Sequence, residues 1–305
     1  MAITCGAVGV GVQFVRGRER LEVTTGVLQR ARLADPVGGV WEAADPQWWW
    51  RRPRPTDELP VPVWSDQIGP CAVLNVMDCL GRSHAERAGR SDGPGPEGAH
   101  WQVDLFVVPE TIDPQEIWSA LVVMLEQHRP VSAEIAVRED DQALIGRLMA
   151  RGFTSIGDPS PIMWMDTANR PPVLEPPEGF RIVDRASQPA DGHPMGSEVQ
   201  ARLQECSLYD PTLDLAMIAP DGQVAGYGLF WADLVTGVGM LEPMRVNEAC
   251  QRHGLAKTLL ASGLDRLAHK GIQRIKVTFA RYAGHDLHAR GVFTTTGSAR
   301  MWKSG

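Results

Sequence analysis

The sequence is poor in several things at once. Among its 305 residues there are five cysteines and three tyrosines, and only four of its thirty basic residues are lysine. Cys5, Cys71, Cys79, Cys206 and Cys250 are odd in number and show no Cys-x-x-Cys spacing, which argues against a disulfide framework or a zinc site and for a reducing, cytoplasmic setting. No apolar run approaches the roughly 20 residues that cross a bilayer, so no membrane partner is expected. Met1 to Val15 is apolar but has no basic leader, the first positive charge being Arg16, and it does not read as a signal peptide. A basic excess is missing too: the net charge is −7. From Val173 onward Lys+Arg and Asp+Glu number 14 each, leaving 16 against 23 before it. Binding a phosphate backbone needs a basic face, so nucleic acid is not expected as a partner; neutral or cationic small molecules fit better. The preference for arginine over lysine hints at a GC-rich bacterial genome.

What is present is enough chain for two domains of about 150 residues each. Two stretches rich in proline and glycine interrupt it, Ser83 to His100 and Asn169 to Gly179. The second has four prolines in seven residues, which favours extended backbone, and it reads as a linker at 169–179 between domains at 1–168 and 180–305. The first reads as an internal loop. After Gly179 the pattern predicts a strand at Phe180 to Arg185, a helix at Glu198 to Cys206, and a hairpin of Leu213 to Ile218 and Gln223 to Trp231 about the turn Ala219-Pro220-Asp221-Gly222. A strand at Gly237 to Asn247 precedes a helix at Arg252 to Lys270, where Leu255, Leu259, Leu260, Leu264 and Leu267 recur at helical spacing and Gly271 is the stop. A strand at Ile272 to Ala280, a short helical piece near His285 to Arg290, and a closing hairpin of Val292 to Thr296 with Ala299 to Lys303 complete a mixed α/β order.

At the centre of this half a strand runs out through Met244-Arg245-Val246 into a turn, and a helix opens with Gln251-Arg252-His253-Gly254-Leu255-Ala256-Lys257. The first turn of a helix has backbone N–H groups without internal partners and a partial positive charge, which together suit a pyrophosphate. Gly254 and Ala256 leave the backbone approachable. This strand, turn and Gln-x-x-Gly-x-Ala helix resemble the coenzyme A motif of the GNAT superfamily of N-acetyltransferases, and the resemblance runs through the whole second half. It implies two tandem domains, each a mixed, mostly antiparallel twisted sheet flanked by helices. It also implies acetyl-CoA, or another acyl-CoA, as cofactor, held by Met244, Arg245, Val246 and the segment Gln251 to Lys257. An amine would attack the thioester directly, with a main-chain N–H near Arg245 or Val246 stabilising the oxyanion. Glu242 is the candidate base, since strand alternation puts it on one face with Val246; an ordinary solvated strand Glu is the plain alternative. For the acid the family pattern points to His288, which stands where a Tyr is usual, with Tyr282 as the second candidate. Cys250 reads as a small packed residue.

The first half repeats the pattern. His100 to Val108 and Val131 to Val137 read as strands about a helix opening at Gln115-Glu116-Ile117-Trp118, and Ala150-Arg151-Gly152-Phe153 followed by Ile162 to Asp166 matches the ending of the second half. Trp118 falls where the second copy has Gly254, Leu148 takes the acid's position, and this copy is expected to be non-catalytic. Trp48-Trp49-Trp50 with Arg51 and Arg52 could stack on bases, but in an acidic half they read as packing. The expected partner is a small-molecule amine, and the chain a monomer or homodimer. The other readings are a protein N-terminal or lysine acetyltransferase, and a non-catalytic acetyl-CoA-binding or scaffold protein.

Overall fold

The computed structural model describes residues 11–79, 98–188, 193–278 and 293–304. The chain forms two compact units, and both are discontinuous. The first takes in Met1–Ala43, Pro53–Pro159 and Ala299–Gly305; the second takes in Ala44–Arg52 and Ser160–Ser298. Two short segments therefore fold with the unit opposite to the one in which their sequence lies.

In the first unit β1 (Gly11–Val15) leads into α1 (Gly17–Ala34), after which the short α2 (Ala44–Trp49) departs to the second unit. The first resumes with β2 (Val61–Ser65), β3 (Pro70–Asp78), β4 (His100–Val107), α3 (Pro114–His128), β5 (Ser132–Arg138) and α4 (Gln142–Ala150). Neighbouring strands are antiparallel except β4 and β5, which run parallel and so need the crossover helix α3 between them. β3 lies between β2 and β4, and Cys71, Ala72, Val73 and Leu74 have no solvent contact at all. The edge of the sheet beyond β5 is completed by Ala299–Lys303 from the C-terminal end of the chain.

After β6 (Thr154–Asp166), the second unit runs β7 (Arg181–Asp184), α5 (Ser197–Gln204), β8 (Asp214–Ile218), β9 (Val224–Asp233), β10 (Val238–Val246), α6 (Leu255–His269) and β11 (Arg274–Val277). The sheet order is β7-β8-β9-β10-β11, again antiparallel except for the parallel pair β10 and β11 joined by a helix. Its last strand is the end of β6, Met163–Asp166, paired antiparallel with β11. The two units thus share one order of elements, a strand, a helix, three strands, a helix and a strand, and each receives its sixth strand from the other half of the sequence. That strand also corrects one expectation. Thr294–Lys303 is a single strand, β12, and not a hairpin, because its end has the free edge of β5 to pair with.

The second core forms as the heptad-like spacing predicts. Leu255, Leu259, Leu260, Leu264 and Leu267 line one face of α6 and are buried against Phe230, Leu215 and Met217. Gly271, at φ +88°, supplies the left-handed residue that stops the helix. The tightest point is Gly263, where an added Cβ would lie 2.0 Å from Cζ of the fully buried Phe230. Gly263→Ala should therefore destabilise the protein by about 1–3 kcal/mol in denaturant unfolding, overpacking outweighing the gain in helix propensity. A variant more stable than the parent would show that this contact does not limit α6.

Candidate functional site

The site is built on a separation of strands. Among the described residues, β10 and β11 pair at Val238, Gly239 and Met240, opposite Arg274, Ile275 and Lys276, and beyond Met240 no described strand pairs with the β11 side of β10. On its other side β10 stays paired with β9, but the register shifts between Leu241 and Met244, a bulge that adds one residue at Glu242 and Pro243. The Asn247 N–H bonds to the Ala225 carbonyl at 2.8 Å. Alternation then turns the Arg245 N–H toward β9 and the N–H groups of Met244 and Val246 toward the open side. Of the two donors considered for an oxyanion, Val246 faces the opening and Arg245 does not.

The bulge also changes which side chains share a face. Leu241, Met244 and Val246 pack against the core that α6 covers. Glu242 meets α2 instead, where the Trp48 indole N–H donates to its carboxylate and Arg51 stands nearby. Simple alternation put Glu242 and Val246 on one face; the extra residue puts them on opposite faces. Glu242 is open to solvent but closely surrounded by protein. That crowding raises its carboxyl above the ordinary range, while Arg51 and the Trp48 hydrogen bond act the other way. Arg51 is itself held over the Trp48 ring at 3.6 Å and donates to the Trp48 carbonyl at 2.8 Å. The main chain at the bulge is fixed by Trp231, whose Nε1–H donates to the Glu242 carbonyl at 2.9 Å.

The second part of the site is the start of α6. Gln251, Arg252, His253, Gly254, Ala256 and Lys257 are exposed there and Leu255 is buried. Arg252 and Gly254 have φ of +64° and +82°, a turn that presents successive N–H groups outward. A Cβ at Gly254 would meet nothing within 4 Å, so the constraint at this position is the backbone conformation and the open space above it. With no acidic residue in the first turn of α6, and with Arg252 and Lys257 beside it, the donor set fits a polyanion. Gln251 reaches back from the same turn and donates to the Val246 carbonyl at 3.2 Å.

The matching helix of the first unit is built the other way. α3 begins with Asp113 as its cap, the carboxylate accepting from the Gln115 N–H at 2.8 Å, followed by Pro114 and Glu116 in the first turn. Its free donors are partly satisfied and its end is acidic. Trp118, aligned with Gly254 by sequence, is a full turn inside this helix and buried, so it does not obstruct the helix start. The acidic cap does that.

His288 and Tyr282, the two candidate acids, lie outside the described residues. Cys250 is half-buried against the core, as a packing residue would be. Sequence reasoning missed the partners of Glu242, because Trp48 and Arg51 lie almost two hundred positions away; the signal was the Trp48-Trp49-Trp50-Arg51 cluster, which reads as packing. Trp48 and Trp50 are indeed buried, yet both also donate hydrogen bonds, Trp50 to Glu205 at 2.7 Å. The sequence also did not reveal a buried group in which Tyr209 donates to Asp214 at 2.9 Å and His193 stands 3.3 Å from the same carboxylate.

Residues 180–294 match the model of a family described as the acetyltransferase (GNAT) family. A comparison with curated proteins finds no match. Among solved structures, a tandem GNAT protein from the clavulanic acid biosynthesis pathway is similar with a TM-score of 0.62 at 14% identity, over 97% of this chain and 98% of that one. A GCN5-related N-acetyltransferase from Sphaerobacter thermophilus is similar with a TM-score of 0.55 at 16% identity, over 97% and 95%. At such identities these likenesses establish the fold.

The Trp48 hydrogen bond favours the ionised form of Glu242, so its loss has a defined sign. Trp48→Phe should move the Glu242 titration to higher pH, as followed by carboxyl carbon NMR. An unmoved titration would separate Trp48 from the carboxylate.

Proposed function

Residues 180–294 form a domain of the acetyltransferase (GNAT) family, and from that premise we propose that the protein is an acetyl-CoA-dependent N-acyltransferase acting on the amine of a small molecule. The observation that carries the reading is the coincidence, in one unit, of a β10 edge left without a described partner, a helix start with no acid in its first turn and cations beside it, and a carboxylate on the opposite face of β10.

The fit to the cofactor follows from the donor set. The N–H groups of Leu255, Ala256 and Lys257, presented by the Gly254 turn and flanked by Arg252, would hold the pyrophosphate. Met244 and Val246 would offer main-chain groups to the pantetheine amides. When bound, acetyl-CoA supplies the acyl group as an activated thioester. The Val246 N–H would receive the developing oxyanion, its direction set by the β9 ladder.

Attack requires a neutral amine, and most amines are protonated at neutral pH. In this reading Glu242 takes that proton. It lies on the face of β10 away from α6, so acceptor and cofactor would come from opposite faces of the sheet. Its raised pKa suits the task, because a base works best when its pKa lies nearer the working pH. Arg51 and Trp48 hold it ionised and oriented.

Three outcomes test this reading. Coenzyme A release over a panel of small amines should show turnover, and Glu242→Gln should lower kcat by about 10²–10⁴ while acetyl-CoA affinity is unchanged. In the parent, kcat/KM should rise with pH as Glu242 loses its proton, with the midpoint above the ordinary Glu value; the variant should lack that limb. Gly254→Trp should abolish acetyl-CoA binding in calorimetry, by blocking the turn and opposing its positive φ. Binding without turnover of any amine, together with an indifferent Glu242→Gln, would favour a non-catalytic acetyl-CoA-binding protein.

A further inference from the structure

The first unit contains a cavity of about 230 Å³ where β4 and β5 separate. These strands pair at His100, Trp101 and Gln102 opposite Ser132, Ala133 and Glu134, and then part. Asp104 stands two residues past the last pair, as Glu242 stands past Met240 in the second unit. Its surroundings differ, because β4 has no bulge and Asp104 stays in regular register opposite Asn75 on β3.

Asp104 lines the cavity and is held by three donors. Trp41 Nε1–H donates to Oδ1 at 2.7 Å, Gln102 Nε2–H to Oδ2 at 3.0 Å, and the Asn75 amide to the same carboxylate. An ionised carboxylate has about four acceptor positions, so among the described residues one remains. Burial pushes this carboxyl up to about 7, which means that the ionised form lacks a neutralising charge. Arg138, on β5, lines the same cavity. Its position has the same strand parity as Asp104 in the register, which puts both on one face. Its Nε and Nη2 donate to Asp140 at 2.9 and 2.6 Å, and its Nη1 is buried with no hydrogen-bond partner among the described residues.

The other charged groups of the lining are engaged locally. Arg32 is paired with Glu42 and donates to the carbonyls of Asp35 and Gly38. Asp35 accepts from the N–H groups of Val37 and Gly38 and also lies within electrostatic reach of Arg138, and Asp141 caps α4 by accepting from Leu144. What is left over is one acceptor position at Asp104, one donor at Arg138, and apolar wall from Leu28, Phe106 and Leu144. A dry cavity of about 150 Å³ accommodates benzene, so this volume suits a molecule of amino-acid size.

We propose that this cavity binds a small apolar α-amino acid, its ammonium group on Asp104, its carboxylate on Arg138 and its side chain among Leu28, Phe106 and Leu144. The acidic start of α3 opposes a polyphosphate in this unit, so the site binds without transferring an acyl group. The inference does not depend on acyl transfer in the second unit.

Calorimetry of the full chain with L-phenylalanine and L-leucine tests it, alongside 3-phenylpropionate and 2-phenylethylamine, which each lack one of the two charged groups. At least one amino acid should bind at millimolar concentration or below, and each analogue should bind at least about tenfold more weakly than phenylalanine, a charged hydrogen bond being lost in each case. Asp104→Asn should weaken the amino acid about tenfold or more and leave acetyl-CoA affinity unchanged. The comparison of analogues uses the unaltered protein and holds even where that variant fails to fold. Absence of heat with both amino acids, an analogue binding as tightly as phenylalanine, or unchanged affinity in a folded Asp104→Asn protein would each overturn the proposal.

Discussion

The feature on which the rest depends is a parallel pair of strands that holds for three residues and then parts. Parallel pairing obliges a crossover helix, and beyond the paired residues one strand edge has no described partner strand. In the second unit the edge belongs to β10 and the helix is α6; in the first they are β4 and α3. A cleft with backbone donors along one wall follows from this topology before any side chain is considered. What the cleft can do is then set by a few residues at its mouth and floor.

The two units put those residues to different use. Both have an acid two positions past the end of the parallel ladder. In β10 a bulge turns Glu242 out to solvent beside Trp48 and Arg51, while in β4 the unbroken ladder keeps Asp104 buried among amide and indole donors. The helix starts differ in sign as well. Gly254 leaves α6 uncapped with cations beside it, whereas Asp113 and Glu116 place negative charge at the start of α3. Burial raises both carboxyls above their ordinary values, but only Glu242 has a solvent-exposed side chain, and only its unit has a helix start without an acid in the first turn.

Much of this was legible beforehand. The leucines of α6, the Gly271 stop, the strand before the motif and the repeated order of elements all follow from local periodicity, and the structure has them at or near the expected positions. The helix start at Gly254 was legible as backbone because its requirement is local: a left-handed residue with small neighbours. The errors came where local pattern meets a distant partner. Alternation failed across the Glu242–Pro243 bulge. The closing segment read as a hairpin, although a strand edge far away in sequence draws it straight. Aligning Trp118 with Gly254 failed: the position that Gly254 holds before α6 is held before α3 by Asp113, and Trp118 lies a turn inside the helix, in the core.

The sequence by itself determined most of the elements and their order, and the glycine turn that opens α6, since each is encoded within a few helical turns or one strand length. Tertiary structure alone decided which sheet receives β12 and the end of β6, and that α2 carries Trp48 and Arg51 to Glu242. It also decided that Asp104 lines a cavity while its counterpart lies open to solvent. These outcomes turn on hydrogen bonds and burial between residues brought together from distant elements, in the case of Glu242 and α2 almost two hundred positions apart. Such contacts have no period, spacing or composition by which a linear reading could find them.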